Sequence, residues 1–434
     1  MNEYIIKTSI NGSKLTGEVK IPDEHCNFFK TTKFFANYDS KVSTNVSIIN
    51  IPLLASVLPL AWLTGSDVKV DATDNRFKES MDKLQQDFKK TFPLGTFQTK
   101  IKADRFTDNK IDIIDSETST ALLFSGGVDS TYSMITNLHL RPRLLMIWGV
   151  DNYAYPENKE QWNYIYSIYS EQAKKLDIPI NLIKTNISQI LDIERINHEF
   201  HQVLYQGSFR FLIQHSLILL PLMAPLSIGR FNTILIASSA GESHDYQKTP
   251  WGSSPQIDEK MVWADLDVKH DGAIDRTEKI SGEIKTFLKE NQILLKVCQR
   301  KLDRPELNDC LCDKCFRTVM TLILSGVDPN TCGFNVDGST FRAMKEVLSR
   351  PLRGSMVDLY LVPIQNMIPH GFKTDIAGSK EFFEWFRNYE IKNLGNLTKY
   401  RSVYYYLDYP YAKVLDSVYL KLGLQIHEHT AQRT

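Results

Sequence analysis

The run Ala121-Leu122-Leu123-Phe124-Ser125-Gly126-Gly127-Val128-Asp129-Ser130 constrains this chain more than any other stretch. Ala121 to Phe124 form a short buried-strand signal, Gly126 and Gly127 free the backbone for a tight turn, and Asp129 and Ser130 stand where a helix would begin. A strand that turns directly into a helix exposes unpaired N–H groups and their partial positive charge. The turn is therefore expected to cradle an anion such as pyrophosphate. Neither Gly-x-x-x-x-Gly-Lys-Ser/Thr nor a strand followed by Gly-x-Gly-x-x-Gly occurs, which leaves this turn as the dominant nucleotide signal.

At these residues the chain resembles the PP-loop ATPases, also called N-type ATP pyrophosphatases. The resemblance implies cleavage of ATP between its α- and β-phosphates and activation of a substrate oxygen as an adenylate. It also implies an α/β fold with a HUP-type parallel-sheet core. Ser125, Gly126, Gly127, Val128, Asp129 and Ser130 would then surround the β,γ-phosphates, with Asp129 and Ser130 in the catalytic set. Asp129 is also a candidate Mg²⁺ contact, because ATP is handled with a hard cation held by carboxylate and phosphate oxygens.

A chain of 434 residues exceeds a comfortable single core, and two or three domains are expected. Lys plus Arg and Asp plus Glu balance at 51 each, so there is no long-range positive field of the kind that tracks a nucleic-acid backbone. The N-terminus lacks the long apolar segment of a secretory signal. Ile48 to Leu63 and Leu217 to Ile228 are apolar but contain prolines and fall short of the ~20 residues a bilayer needs. A soluble cytoplasmic protein without a membrane partner is the expectation.

Of six cysteines, Cys26 and Cys332 stand apart, while Cys298, Cys310, Cys312 and Cys315 crowd one segment. Four soft ligands suit a structural Zn²⁺ tetrahedron, with Cys312-x-x-Cys315 as the chelating knuckle. Cys310-x-Cys312 is tight enough to leave one thiol outside the first shell. A redox dithiol, an iron–sulfur site and buried free thiols are the other readings.

A PP-loop followed downstream by a four-cysteine cluster resembles the 7-cyano-7-deazaguanine synthase group over approximately residues 118–325. That family's cysteines run Cys, a gap, then Cys-x-x-Cys-x-x-Cys. Here the gap is longer and the middle pair is Cys-x-Cys. The resemblance implies a purine- or deazaguanine-like substrate, a nitrogen nucleophile and a ligase-type reaction. Through distant members found in antiviral defence operons, it also implies modification of a partner protein or a nucleic acid.

Along the chain, Asn11-Gly12 signals a hairpin between Tyr4–Ile10 and Ser13–Ile21. Leu53–Leu63 reads as a buried helix, Val68–Val70 as a strand, Phe77, Met81, Leu84 and Phe88 as one face of an amphipathic helix, and Phe97–Ile101 as a strand. Residues 1–115 thus read as an N-terminal α+β domain, with Asp104–Glu117 as its linker, before a PP-loop domain at 116–330 and a helical region at 331–434. From Ala121 onward, strands at Leu144–Val150, Ile178–Lys184 and Thr233–Ala237 alternate with helices at Glu160–Leu176 and Phe209–Leu220, the pattern of a parallel sheet. In the C-terminal region, Phe382, Phe383, Trp385 and Phe386 and the Tyr404–Tyr411 segment read as core aromatics.

Ligands of such sheets bind outside the carboxyl ends of the strands. Trp148, Gly149 and Val150 at one strand end are candidate adenine contacts. The polar segment after Ala237 offers Glu242 and His244 as proton carriers, Asp258 as a proton carrier or recognition group, Trp251 as a stacking platform, and Ser239 and Ser254 as orienting hydroxyls. Arg210, His270-Asp271, Arg276 and Lys279 are further candidates, the cations for the α-phosphate. Two competing readings are a sulfur transferase, which needs a reactive thiol at Cys26 or Cys332, and a nucleotide-binding scaffold without turnover.

Overall fold

A computed structural model of the chain describes residues 2–114, 118–150, 153–205, 207–242, 244–247, 249–300, 305–350, 352 and 357–392. The Tyr404–Tyr411 segment lies outside them. The contacts divide the chain into two units: 1–124, 137–159 and 173–273 form the first, and 125–136, 160–172 and 274–434 the second. The sequence boundary at 115 falls inside the first unit, and that at 330 inside the second.

Unit 1 is built on one ten-stranded sheet in the order β10-β9-β6-β7-β8-β3-β2-β1-β4-β5. In chain order the strands are β1 Glu3–Asn11, β2 Lys14–Lys20, β3 Lys33–Tyr38, β4 Asp67–Asp74, β5 Ile101–Thr107, β6 Thr120–Leu123, β7 Arg143–Trp148, β8 Ile180–Thr185, β9 Thr233–Ala237 and β10 Asp267–Asp271. Neighbours run parallel except for β8–β3, β3–β2 and β2–β1. The architecture is α/β with a mostly parallel sheet. Strands from residues 1–107 join the later ones through β3, whose Tyr38 pairs with Ile183 of β8.

Helix Ile51–Thr64 is buried at every position from Ile51 to Leu63, as expected for a segment apolar on all sides, and Gly65 closes it in the left-handed conformation. Helix Asn75–Thr91 buries Phe77, Met81, Leu84 and Phe88 on one face, and the Asp74 carboxylate caps its start by accepting the Phe77 N–H. Two sequence expectations shift. The hairpin loop is Gly12-Ser13, because Asn11 pairs with Lys14. The strand expected at Phe97–Ile101 is β5 instead, which takes up part of the expected linker: Phe97 adopts a left-handed φ of 44° and its N–H donates to the Trp62 carbonyl, which breaks the extended run before residue 101.

A helical run at Arg210–Ser227 has the length and apolarity to cross a membrane, and 78% of it is buried inside the protein. It is the longer form of the expected Phe209–Leu220 helix. It opens with a π-helical turn, Arg210–Gln214, and its apolar side chains already have protein neighbours.

Unit 2 contains helices Val128–Thr136, Asp313–Leu324, Gly338–Leu348 and Ser379–Asn388. Its core joins Phe316, Val319 and Met320 with Phe341, Met344, Phe382, Phe383 and Phe386. Phe382, Phe383 and Phe386 of helix Ser379–Asn388 are therefore core, as their i, i+1, i+4 spacing implies, whereas Trp385, also expected there, is half-buried against that core.

Candidate functional site

In unit 2, Ser125–Ser130 folds as the sequence pattern requires. Gly126 takes φ of 75°, where a side chain would also collide with Tyr169: a Cβ there would lie 2.1 Å from the phenol oxygen. The Gly126 carbonyl accepts from the Lys296 N–H at 2.7 Å and from the Tyr169 hydroxyl at 3.2 Å, so it is pinned away from the turn's interior. Ser130 Oγ accepts the Ser125 N–H at 3.2 Å and lies 3.2 Å from Ser125 Oγ, which in turn accepts the Gly127 N–H at 3.3 Å. Val128 starts a nine-residue helix. The result is a short serine-tied loop before a helix N-terminus, a geometry suited to an oxyanion.

Asp129 is not free to receive a metal ion. Its Oδ1 and Oδ2 accept from Arg276 Nε at 3.2 and 3.0 Å, Oδ2 accepts from Arg276 Nη2 at 2.6 Å, and Oδ1 accepts from Lys279 Nζ at 3.0 Å. Burial alone would raise the carboxyl, but the charges of Arg276 and Lys279 outweigh it and hold Asp129 below the ordinary carboxylate range. Burial opposes the Arg276 charge in turn, and Asp129 more than restores it. The arrangement does not fit direct Mg²⁺ coordination by Asp129. The carboxylate instead orients two cations beside the loop.

The candidate metal centre also departs from the sequence expectation. Cys298, Cys312, Cys315 and Asp309 present ligand atoms that all lie within 4.8 Å of one another, and Cys310 is not among them. Cys310 has a left-handed φ of 57°, and its Sγ accepts the Asn335 N–H at 3.4 Å; the carboxylate one residue earlier takes its place. Cys312 Sγ lies 3.4 Å from Cys315 Sγ and 4.0 Å from Cys298 Sγ, and Asp309 Oδ1 is 3.4 Å from Cys315 Sγ. A Zn–S bond of about 2.3 Å implies an S···S edge of about 3.8 Å in a tetrahedron, so three sulfurs and one oxygen at these spacings fit Zn²⁺. Within the trio, hydrogen bonds from Cys298 and Cys315 pull Cys312 down, while Cys298 and Cys315 are pushed up; a metal ion bound by such thiols displaces their protons. Burial pushes Cys310 up to about 11. Asn308 fixes the approach, since its Oδ1 accepts the N–H groups of Val297 and Cys298 and its Nδ2 donates to the carbonyls of Leu295 and Gly333.

In unit 1, the carboxyl ends of β7 to β10 carry the remaining candidates. Trp148 is 2% exposed and meets Tyr155 edge-on at 4.7 Å, which makes it a core ring. Val150 is buried beside it in sequence. Gly149, at φ of 123°, would place a Cβ 1.7 Å from the Thr185 carbonyl oxygen, so its glycine serves the β7–β8 strand ends. Arg210 is buried and donates from Nη2 to the Ser188 carbonyl at 2.8 Å, and Ser188 Oγ donates to the Gly149 carbonyl at 2.6 Å.

Asp258 is fully buried and is the hub of this end of the sheet. It accepts from Ser216 Oγ, from Ser253 Oγ at 2.8 Å and from His270 Nδ1 at 2.7 Å. Three donors hold the carboxyl group in one orientation. The other ring nitrogen of His270, Nε2, is buried without a partner among the described residues. Trp251 stacks on Phe211 at 5.3 Å with an interplanar angle of 10°, leaving one face less for a ligand. Ser254 is buried ahead of the turn Pro255–Asp258, Glu242 and Ser239 are exposed, and His244 Nε2 lies 3.1 Å from Thr249 Oγ1. Sequence reasoning missed Ser216, Ser253 and Asp309, which carry no motif of their own. Only the adjacency of Asp309 to a cysteine pattern offered a signal.

A cavity of about 630 Å³ on the β1–β3 face, lined in part by Lys7, Lys14, Lys33, Phe35 and Tyr155, contains none of these groups. No protein-family model, curated protein or solved structure matches the chain.

Proposed function

We propose that this chain is an ATP-dependent enzyme of the PP-loop type that adenylates a carboxylate or carbonyl oxygen on a purine- or deazaguanine-like substrate. The single observation that carries the reading is the Ser125–Ser130 turn, with its serine-tied amides, its left-handed Gly126 and two cations held beside it by Asp129. The substrate oxygen attacks the α-phosphorus of ATP and pyrophosphate departs. A nitrogen nucleophile then adds to the activated carbon, and AMP leaves with the oxygen. Loop amides, Arg276 and Lys279 stabilise charge on the departing pyrophosphate, and no protein nucleophile is needed.

Bound zinc would hold the Cys298–Asp309–Cys312–Cys315 segment in place and supply no reacting group. No step is assigned to magnesium at Asp129. The thiolation alternative is disfavoured at Cys332, which is buried with its thiol pushed up; the remaining candidate is the exposed Cys26. A metabolite acceptor and a group on a partner protein are both compatible with the chemistry.

The test is to incubate the full chain with Mg·ATP and purine-like carboxylates and to assay AMP and pyrophosphate. Stoichiometric AMP and pyrophosphate, retained when Cys26 and Cys332 are both replaced by serine, is the expected result. ADP and phosphate as products would overturn the proposal, and loss of activity in the double variant would favour thiolation.

A further inference from the structure

We infer that Arg317 anchors a second oxyanion position in unit 2, one that takes the pyrophosphate portion of a nucleotide. The inference rests on the phosphate-loop reading above. Arg317 lies one turn into helix Asp313–Leu324 and is 9% exposed. Its Nη2 donates to Asp313 at 3.2 Å, while Nε and Nη1 are buried with no hydrogen-bond partner among the described residues. Buried N–H groups of a cation are normally paired, and an orphaned pair on an arginine calls for an acceptor that the described residues do not supply.

The surroundings say which acceptor. The guanidinium of Arg317 sits 3.8 Å from the centre of the Tyr360 ring, and that of Arg276 sits 5.9 Å from the same ring. Arg276 is in turn bound to Asp129 of the phosphate loop. Arg276 and Lys279 pair with Asp129, and Arg317 pairs with Asp313, so three cations and two carboxylates stand beside a helix N-terminus. Pyrophosphate, with several negative oxygens, answers such a cluster better than a single carboxylate. Two local features hold the position. Tyr360 belongs to the π-helical turn Val357–Leu361, and Arg276 and Lys279 immediately precede the π-helical turn Ile280–Ile284. Helix Asp313–Leu324 starts at Cys312, so the metal-type cluster sets where Arg317 stands.

The experiment titrates inorganic pyrophosphate into the full chain by calorimetry, with malonate as the carboxylate probe, for wild type, Arg317→Met and Arg317→Lys. Wild type should bind pyrophosphate, Arg317→Met should bind at least about tenfold more weakly, Arg317→Lys should fall between them, and malonate should not compete. Should Arg317→Met fail to fold, ¹⁵N-arginine NMR on wild type replaces it, with the Arg317 Nε–H signal expected to shift on adding pyrophosphate. Equal affinity in wild type and Arg317→Met, or an unmoved Nε–H signal in pyrophosphate-bound protein, overturns the inference and leaves the phosphate loop standing. Arg317-dependent binding of malonate in place of pyrophosphate overturns the choice of ligand. No binding of pyrophosphate to wild type removes the phosphate-loop reading itself.

Discussion

Replacing Asp129 by asparagine tests how the Ser125–Ser130 turn is held. The substitution keeps the shape and removes the charge that Arg276 and Lys279 share, with the Lys279 side chain 0% exposed and that of Arg276 26% exposed. Removing one partner of a buried ion pair costs about 3–5 kcal/mol, and the partial exposure of Arg276 places this case near about 3 kcal/mol. At 1.36 kcal/mol per decade, that is roughly two orders of magnitude in local opening. Amide hydrogen exchange of peptides covering 128–136 and 276–288 reads it locally. Faster exchange by about a hundredfold in both peptides is expected, with part of the loss recovered in Asp129→Asn/Arg276→Met, which removes one of the two cations. Exchange within about threefold of wild type in both peptides would refute the argument. The pH dependence has a defined sign. Since Asp129 is held below its unfolded value of about 3.9, its contribution is complete above that pH and is lost as pH falls through the lower folded value.

Other substitutions separate the remaining claims. Gly149→Ala should abolish folding, because its Cβ would meet the Thr185 backbone oxygen at 1.7 Å, whereas Gly12→Ala, with open space around φ of 63°, should cost only about 1–2 kcal/mol in chemical denaturation. One equivalent of Zn²⁺ should bind, and Cys310→Ser should retain it while Asp309→Ala and Cys315→Ser lose it; dependence on Cys310 measured by metal analysis would restore the four-cysteine site. Asp258→Asn should destabilise the chain by a few kcal/mol through its three buried donors, and His270→Gln by less; a neutral Asp258→Asn in thermal unfolding would remove its role as hub.

What the sequence revealed follows from locality. The strand–turn–helix at 120–136, the all-apolar helix 51–64 and the stripe Phe77–Phe88 are dictated by neighbours a few residues away, and each formed where its pattern placed it. β3, whose residues Lys33–Tyr38 alternate only briefly, and β10 were not legible, because their pairing partners lie far along the chain at β8 and β9. The same distance hid the charge on Asp129: nothing local to Ser-Gly-Gly-Val-Asp-Ser indicates that residues 276 and 279 will occupy both carboxylate oxygens. For the metal-type cluster, spacing indicated the segment correctly but not the ligands, since the left-handed Cys310 exchanges a sulfur for the preceding carboxylate.

The most direct measurement is a crystal structure of the full chain with an ATP analogue that carries a methylene bridge between its α- and β-phosphates. The account predicts β- and γ-phosphate oxygens within hydrogen-bond distance of the backbone N–H groups of residues 126–130. A nucleotide bound elsewhere, with that turn making no phosphate contact, would contradict it.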